Sequence, residues 1–276
     1  APQEAVLTDL VDSFETREDD IFVCTYVKSG TTWTQQILNL LLNNGEQGEK
    51  MYSEVVPWLE AAYFGGLLAD IGAKGWTPEQ IVATPERRFF KTHANLKDLP
   101  CGKAPGVKVI YVCRNPKDVC VSLQHHAKNK PIYEYEGDLS DMLRFFAEGR
   151  CENGSWFDHV LEWHEASKAD PEHIMFLRYE ELLADAPASV KKIADFVGIE
   201  TTPEIVKKVV AASSISAMKS NAKTNPLKAL NHLRKGGAGG WRDVFTVRQS
   251  EAFDALYRVQ MEGSGLEMDF GEGLNM

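Results

Sequence analysis

Four short stretches of the chain have the length and composition of buried β-strands. They are rich in β-branched and aromatic residues, and charged residues, glycine or proline stand beside them. They occupy residues 21–26, 88–92, 107–113 and 173–177. The third stretch, VKVIYVC, is the clearest because it follows Pro105 and Gly106 directly.

Helical periodicity separates these strands. Apolar residues recur at helical spacing directly after the first strand, at Trp33, Ile37, Leu40 and Leu41. The same period predicts helices over residues 155–168, 189–197 and 249–261. Near-continuous apolar strands that alternate with helices are typical of a parallel sheet covered on both faces. No linker or repeat interrupts the pattern, so we expect one α/β domain over residues 1–276.

The charge balance narrows the classes of ligand. The chain has 30 Lys and Arg residues against 40 Asp and Glu residues, a formal net charge of −10. Proteins that coat nucleic acid or an anionic membrane need a basic surface, so the balance argues against both. A local cluster of cations can still bind a small anion. With 43% hydrophobic and 25% charged residues, the composition is that of an ordinary globular protein.

Cysteine usage and the N-terminal sequence indicate the compartment. The five cysteines form no C-x-x-C pair, and no histidine stands at zinc-ligand spacing from them. The first residues lack the basic and apolar stretches of a signal peptide, and the longest apolar segment, residues 37–42, is too short to span a bilayer. We therefore expect free thiols in a soluble, cytoplasmic protein that needs no metal.

The segment after the first strand, TYVKSGTTW, has the composition of an anion-binding loop. Unpaired N–H groups at the start of the following helix carry the positive end of its dipole and suit a phosphate. Gly30 allows close approach, Lys28 adds a charge, and the neighbouring Ser and Thr residues add hydroxyl donors. The alternative is a capped helix beside an incidental lysine. The loop is not a Walker A motif, because Lys28 precedes Gly30.

The second and third strands also end in candidate functional residues. Lys91 and His93 stand two positions apart, hence on one face, and histidine accepts protons near neutral pH. Arg114 follows the third strand, where a magnesium-dependent enzyme would usually have a carboxylate; its planar guanidinium matches a phosphate. Lys117 and Asp118 alternatively begin an exposed helix. The pair His125–His126 lacks a neighbouring carboxylate, so we do not interpret it as a metal site.

A glycine-rich segment near the C-terminus, RKGGAGGW from Arg234, carries two further cations. On its own it would be interpreted as a flexible surface loop with solvated charges. Together with the three anion-competent segments above, in a chain of net charge −10, it indicates a lid that closes over an anionic ligand.

Six segments, in this order, resemble the cytosolic sulfotransferases over nearly the whole chain. They are TYVKSGTTW, VPWLE from Val56, FKTH from Phe90, YVCRNPKDVCVS from Tyr111, GSWFDHVLEW from Gly154 and RKGGAGGW. The resemblance implies a sulfotransferase fold similar to that of the P-loop nucleotide kinases. It also implies transfer of a sulfuryl group from 3′-phosphoadenosine 5′-phosphosulfate (PAPS) to a hydroxyl or amine of a small acceptor.

The resemblance assigns roles residue by residue. The residues implied to hold the 5′-phosphosulfate are Lys28, Ser29, Gly30, Thr31 and Thr32. Those implied to contact the adenine side of the cofactor are Trp33, Tyr179, Ser213, Ile215 and Met218. Those implied to bind the 3′-phosphate are Arg114, Ser122, Arg234, Lys235 and Gly236. His93 is implied as the general base, with Lys28, Lys91 and Ser122 completing the catalytic set.

The chain departs from the family pattern at several positions. Val27 replaces the usual proline, Ile215 a usual aromatic residue and Gly240 a usual acid, and residues 223–233 form a shorter segment. We expect a mainly apolar acceptor, with aromatic residues that line its pocket or belong to the core: Trp58, Tyr63, Phe64 and Trp76.

The resemblance also implies a homodimer, through a motif formed by Arg242, Thr246, Val247 and Glu251, although these residues could equally start the last helix. Two other functions stay open. A metal-dependent nucleotide kinase of related fold would bind magnesium and ATP, and the absent Walker A spacing argues against it. A non-catalytic nucleotide-binding relative would not need His93 and both lysines.

Overall fold

The centre of the fold is one parallel sheet of four strands in the order β2-β1-β3-β4. The computed structural model describes residues 10, 13–64, 76–100, 104–225, 228 and 232–270. Within them the strands are β1 (Ile21–Cys24), β2 (Phe89–Thr92), β3 (Lys108–Cys113) and β4 (Ile174–Arg178). All four lie where the sequence predicts them, and the parallel α/β class is confirmed.

Strand β1 is central because both of its faces are apolar. Its four residues are fully buried, and alternate side chains enter different apolar clusters on the two faces of the sheet. Phe22 packs with Phe90 on one face, and Val23 packs with Ile110 on the other. Helices cover both faces, which is why the strands are almost continuously apolar.

The helices of the described residues include those that the periodicity predicts. They are α1 (Thr31–Leu42), α2 (Tyr52–Val55), α3 (Leu59–Phe64), α4 (Pro78–Ala83), α5 (Pro116–Asn129), α6 (Leu139–Ala147), α7 (Trp156–Ala169), α8 (Tyr179–Ala184), α9 (Ala186–Val197), α10 (Pro203–Ala212), α11 (Ile215–Ser220) and α12 (Val247–Met261). Short 3₁₀ helices span Leu96–Asp98, Pro131–Tyr133 and Gly240–Asp243. The predicted helices correspond to α1, α7, α9 and α12, with starts that differ by up to three residues.

Helix α5 corrects one interpretation of the sequence. It begins at Pro116 because the Asn115 side chain accepts hydrogen bonds from the backbone N–H groups of Lys117 and Asp118. Both of these charged residues are only 1% exposed, so the alternative of an exposed helix start is wrong. Lys117 donates to Ser250 Oγ and pairs with Asp254, which ties α5 to α12.

A buried ion pair joins β1 to β2 at the end of the sheet where these strands begin. Arg88 donates to both carboxylate oxygens of Asp20, over 2.7 and 2.5 Å, and neither side chain is more than 4% exposed. The pair holds the beginnings of the two strands together. It therefore lies at the end of the sheet opposite to the candidate functional segments, which follow the ends of the strands.

Two sequence expectations concern the compartment. Cys24, Cys113, Cys120 and Cys151 are free thiols, as expected, whereas Cys101 lies outside the described residues. Among the helices of the described residues, none combines the length and apolar character that crossing a membrane requires.

Candidate active site

A cavity of about 1260 Å³ opens at the carboxyl ends of the strands. Parallel sheets of this kind bind ligands at this edge, and the volume exceeds that of a typical pocket for one small molecule. Every residue that the resemblance assigns to cofactor or catalysis lines it, apart from Ser29. These lining residues are Lys28, Gly30, Thr31, Thr32, Trp33, Lys91, His93, Arg114, Ser122, Tyr179, Ser213, Ile215, Met218, Arg234, Lys235 and Gly236.

The loop between β1 and α1 presents unpaired donors to this cavity. Helix α1 starts after Gly30, which has φ 114° and provides no side-chain cap for the first N–H groups. A Cβ atom at Gly30 would lie 2.8 Å from Tyr179 Cδ2, so this position requires glycine. The Ser29 hydroxyl is buried and has no hydrogen-bond partner among the described residues. The loop therefore has the donors that an anion needs.

Arg114 joins this loop to the glycine-rich segment. Its guanidinium donates to the carbonyl oxygens of Lys28 and Gly237, over 3.2 and 2.8 Å, and lies 4.5 Å from the centre of the Tyr179 ring. Arg114 Nε is buried without a hydrogen-bond partner in the described part of the chain. One donor of a nearly buried cation is thus left for a ligand in the cavity.

The glycine-rich segment is fixed to helix α5. Asp118 accepts hydrogen bonds from the backbone N–H groups of Gly239 (2.7 Å) and Trp241 (3.0 Å). The segment is therefore attached to the same helix that carries Ser122, contrary to the alternative of a detached surface loop. The Lys235 ammonium lies 3.0 Å from Asp243, and its side chain is 57% exposed, so it stands at the rim of the cavity.

His93 is buried and held in one tautomer. Its Nδ1 lies 2.8 Å from the Thr25 carbonyl oxygen, which can only accept, so Nδ1 carries the proton and Nε2 is free to accept one. Burial, together with the charge of Lys91, lowers the pKa of His93 well below 6.5 and keeps the ring neutral. Glu60 fixes the backbone at this point by accepting from the His93 N–H (2.9 Å) and from Thr92 Oγ1 (2.7 Å).

Lys28 and Lys91 are desolvated cations in the same cavity. Burial and the charges of Lys130 and Arg114 lower the pKa of Lys28 to about 7. Burial likewise lowers the pKa of Lys91 to about 7, although Glu60 opposes this effect. The Lys91 ammonium lies 3.5 Å from the centre of the Trp58 ring. An anion bound beside these lysines would favour their charged forms.

The proposed adenine side of the cavity is aromatic on one wall. The rings of Trp33 and Tyr179 meet edge to face, with centroids 5.4 Å apart. Ser213 and Met218 are buried at the same wall, and Ile215 packs against Gly236. A Cβ atom at Gly236 would lie 2.7 Å from Ile215 Cβ, which explains the glycine there.

Two histidines that the sequence analysis did not place in the site lie next to its loop. His126 Nδ1 is 3.4 Å from Lys28 Nζ, and His232 Nε2 is 3.1 Å from Thr32 Oγ1. Burial and the Lys28 charge lower the pKa of both rings, so both are neutral. A signal was present for His126, because it follows Ser122 by one helical turn and shares its face of α5. No cluster of three potential metal ligands occurs in the described part of the chain.

The four aromatic residues that the sequence suggests for the acceptor pocket or the core do not all lie in the same place. Trp58 and Trp76 line the cavity. Tyr63 packs against the core, 6.4 Å from Phe14 between ring centroids, so of its two alternatives the core is the one that the structure supports. The side chain of Phe64 lies outside the described part, as do residues 226, 227 and 229–231 of the shortened segment.

Thr246, Val247 and Glu251 of the implied dimer motif lie at the start of the last helix, whereas Arg242 lies in the 3₁₀ helix Gly240–Asp243. Thr246 caps α12 through a reciprocal pair of hydrogen bonds with Gln249. Val247 is 76% exposed, and the Arg242 guanidinium donates to the carbonyl oxygen of Phe270.

A parallel α/β sheet with a donor-rich loop after its first strand, and with buried lysines and a neutral histidine at the same edge, is an arrangement typical of nucleotide-binding α/β proteins. The family model that describes the sulfotransferase domain matches residues 18–265. Sulfotransferase 1B1 of Canis lupus familiaris is 35% identical over 270 residues, which are 93% of this chain and 88% of that protein. Sulfotransferase 2B1 of Homo sapiens is 38% identical over 262 residues, which are 90% and 68% of the two chains.

Solved structures agree with this assignment. Mouse sulfotransferase SULT7A1 complexed with PAP superimposes with a TM-score of 0.78 at 32% identity, covering 95% of this chain and 90% of that one. Retinol dehydratase in complex with androsterone and inactive cofactor PAP gives a TM-score of 0.83 at 26% identity, covering 95% and 87%. The chain therefore belongs to the sulfotransferase family. It is an enzyme of that family, which sets aside the nucleotide kinase and the non-catalytic relative.

Proposed function

We propose that this protein transfers a sulfuryl group to a hydroxyl or amine of a small acceptor with a mainly apolar body. The donor is PAPS, which supplies the activated sulfuryl group and leaves as 3′,5′-diphosphoadenosine (PAP). The observation that carries the proposal is the meeting of neutral His93, Lys28 and Lys91 in one cavity with the uncapped start of α1.

The described residues fit the donor. Within the described part of the chain, Ser29 Oγ and Arg114 Nε are buried donors without partners, as expected of groups that bind phosphate oxygens. Lys28 and the residues from Ser29 to Thr32 hold the 5′ end, and the 3′-phosphate lies among Arg114, Ser122, Arg234, Lys235 and Gly236. Trp33 and Tyr179 contact the adenine, together with Ser213, Ile215 and Met218.

His93 acts as the general base. Its Nε2 takes the proton of the acceptor hydroxyl while the acceptor oxygen bonds to sulfur, and the electron pair of the broken S–O bond goes to the departing phosphate of PAP. The neutral tautomer, with Nδ1–H held by the Thr25 carbonyl, leaves Nε2 available for this step. A positioned base of this kind contributes about 10²–10⁴-fold to the rate.

Lys28 and Lys91 stabilise the charge that develops on the departing phosphate. Negative charge grows there during transfer, so fixed cations stabilise the transition state more than the ground state. Their burial strengthens this interaction, because no bulk water competes for the charge. The hydroxyl of Ser122, on α5, binds the 3′-phosphate of the same cofactor and so helps to hold the departing PAP in place. With lysines in these positions, the proposed reaction needs no metal.

Apolar side chains of Trp58, Ala61 and Trp76 line the cavity and accommodate the body of the acceptor. The ring of Trp58 lies 5.9 Å from that of His93 between centroids. The other expectations also remain proposals: a single domain, a cytoplasmic location, and a homodimer through the segment from Arg242 to Glu251.

A thermal-shift titration tests the donor site. PAP alone should stabilise the protein strongly, by about 2.7 kcal/mol at one hundred times its Kd, whereas ATP with Mg²⁺ should not. Stabilisation only by Mg·ATP would contradict the proposal. Incubation with PAPS and a series of phenols, alcohols and amines should then yield a sulfated product.

The base is tested by His93→Ala. The variant should lose transfer activity by about 10²-fold or more while it binds PAP nearly as well as the wild type. His125→Ala is the matched control, because His125 is not among the residues that line the cavity. A substantially active His93→Ala variant removes His93 from the mechanism.

A further inference from the structure

Lys130 is a buried lysine that the proposed reaction does not use. It follows α5 directly and is only 8% exposed. A lysine at the C-terminal end of a helix ordinarily extends its ammonium into water or caps the last carbonyl groups. Here it lines the cavity instead, and no hydrogen bond or ion pair within the described residues holds its ammonium.

Lys130 shares one region of the cavity with His126, Tyr133 and Glu152, and His126 connects this region to Lys28 of the loop after β1. His126 lies 3.4 Å from Lys28 on one side, and its ring centroid is 5.6 Å from that of Tyr133 on the other. The Tyr133 hydroxyl donates to Glu152 over 2.7 Å. Lys130, Tyr133 and Glu152 all line the cavity and form a polar wall beside His126, near enough to the loop for the charge of Lys130 to act on Lys28.

The charges that line the cavity do not balance. Lys28, Lys91 and Lys130 all line the cavity, and the charge of Lys130 lowers the pKa of both other lysines. The neighbouring carboxylates are Glu152, which already accepts from Tyr133, and Glu60, which is bound to His93 and Thr92. Over the cavity as a whole positive charge is in surplus, because Lys and Arg outnumber Glu among the residues that line it, although the charge of Glu152 acts on Lys130.

The donor does not use this charge. Under the proposed function, its 3′-phosphate is matched by Arg114, Arg234 and Lys235, and its 5′ end by Lys28 and Lys91. The Lys130 ammonium is a third one in the same cavity, and none of these roles uses it. Burying a lysine without a partner is unfavourable, and a bound anion removes that cost.

Resting on the proposed function, we infer that the acceptor carries a carboxylate in addition to the hydroxyl that is sulfated, and that Lys130 binds this carboxylate. The apolar body of such an acceptor lies against Trp58 and Trp76, its hydroxyl at His93 and its anionic end at Lys130. The preferred substrates are therefore hydroxy acids with an apolar or aromatic body, and not wholly apolar alcohols.

Matched pairs of acceptors test this inference. Each pair consists of a phenolic acid and its neutral carboxamide. The three acids are 4-hydroxybenzoate, 4-hydroxyphenylacetate and 3-(4-hydroxyphenyl)propionate, in which the carboxylate lies at increasing distance from the hydroxyl. We expect kcat/KM of the wild type to favour the acid by about tenfold or more in the pair whose length fits, since a hydrogen bond to a charged group has roughly that effect.

Two substitutions assign the preference to Lys130. Lys130→Met keeps the apolar stem and removes the charge, so the ratio of acid to carboxamide should fall to about one, mainly through KM of the acid. Lys130→Arg should retain a preference for the acid. Lys128→Met changes an exposed lysine of the same helix and should leave the ratio at the wild-type value. Thermal stabilisation by PAP verifies that each variant is folded.

The outcomes separate the inference from the function on which it rests. If PAP does not bind and no phenol is sulfated, the proposed function fails. If the phenols are sulfated but no acid is preferred over its carboxamide, or if Lys130→Met keeps the preference, then only the role of Lys130 is overturned.

Discussion

The pKa values of Lys28 and Lys91 predict that PAP binds together with protons. Burial lowers both pKa values to about 7 in the protein without a bound anion. At pH 8.5 a lysine with such a pKa is charged in about 3% of molecules, whereas an ordinary lysine is almost fully charged. A phosphate next to the amine favours the charged form, so binding raises the pKa of the lysine and takes up a proton.

Because binding takes up protons, the affinity for PAP depends on pH, and the direction of that dependence can be derived. The complex holds more protons than the free protein, so the affinity for PAP falls as pH rises above 7. One lysine whose pKa changes from about 7 to near 10.5 weakens binding by about 16-fold between pH 7 and 8.5, and two independent lysines weaken it by about 250-fold.

Isothermal titration calorimetry with PAP measures both the affinity at each pH and the number of protons taken up on binding. Titrations from pH 7.5 to 9.5 lie above the second phosphate pKa of about 6, so the charge of the ligand stays constant. At pH 8.5, buffers of different ionisation enthalpy should report an uptake of about one to two protons. Lys28→Met should take up about one proton fewer, whereas Lys207→Met, at an exposed position on α10, should behave as the wild type. An affinity that does not change with pH, with no proton uptake, would refute the argument.

Three further substitutions test the scaffold: two beside the site and one at the opposite end of the sheet. Gly30→Ala places a Cβ atom 2.8 Å from the Tyr179 ring at φ 114°, so thermal melts should show a loss of roughly 1–3 kcal/mol and weaker stabilisation by PAP. Asp118→Asn leaves one acceptor oxygen for two backbone N–H groups of the glycine-rich segment, so calorimetry should show PAP bound about tenfold more weakly; unchanged affinity would contradict this anchor. Arg88→Met leaves the fully buried Asp20 carboxylate unpaired and should lower the free energy of unfolding by about 3–5 kcal/mol in denaturant titrations.

Local sequence was sufficient for the strands and for the loop that follows β1. Residues such as Ile21 and Val23 lie between two apolar layers, so burial on both faces leaves a continuous apolar run that is visible in the sequence. The loop from Lys28 to Thr32 is contiguous, so its donors can be recognised without knowledge of any distant contact. The short helices α8 and α11, with six residues each, have too few turns to show a period.

Pairings between distant residues needed the tertiary structure. Asp118 fixes Gly239 across 121 positions of the chain, and His126 meets Lys28 across 98. Such contacts depend on how the elements pack, and no local pattern encodes them. The burial of Lys117 and Asp118 was misjudged for this reason, since charged residues after a strand usually lie in solvent.

The α/β class, the order of the strands along the chain, the donor-rich loop after β1 and, through its motifs, the sulfotransferase family can all be recognised in the sequence. The tertiary structure was needed to show which charges share the cavity, which tautomer His93 adopts, and that Lys130 lines the cavity with no hydrogen-bond or ion-pair partner among the described residues. The physical reason is that backbone conformation and burial patterns depend on neighbouring residues, whereas electrostatics depends on distances between groups that only folding brings together.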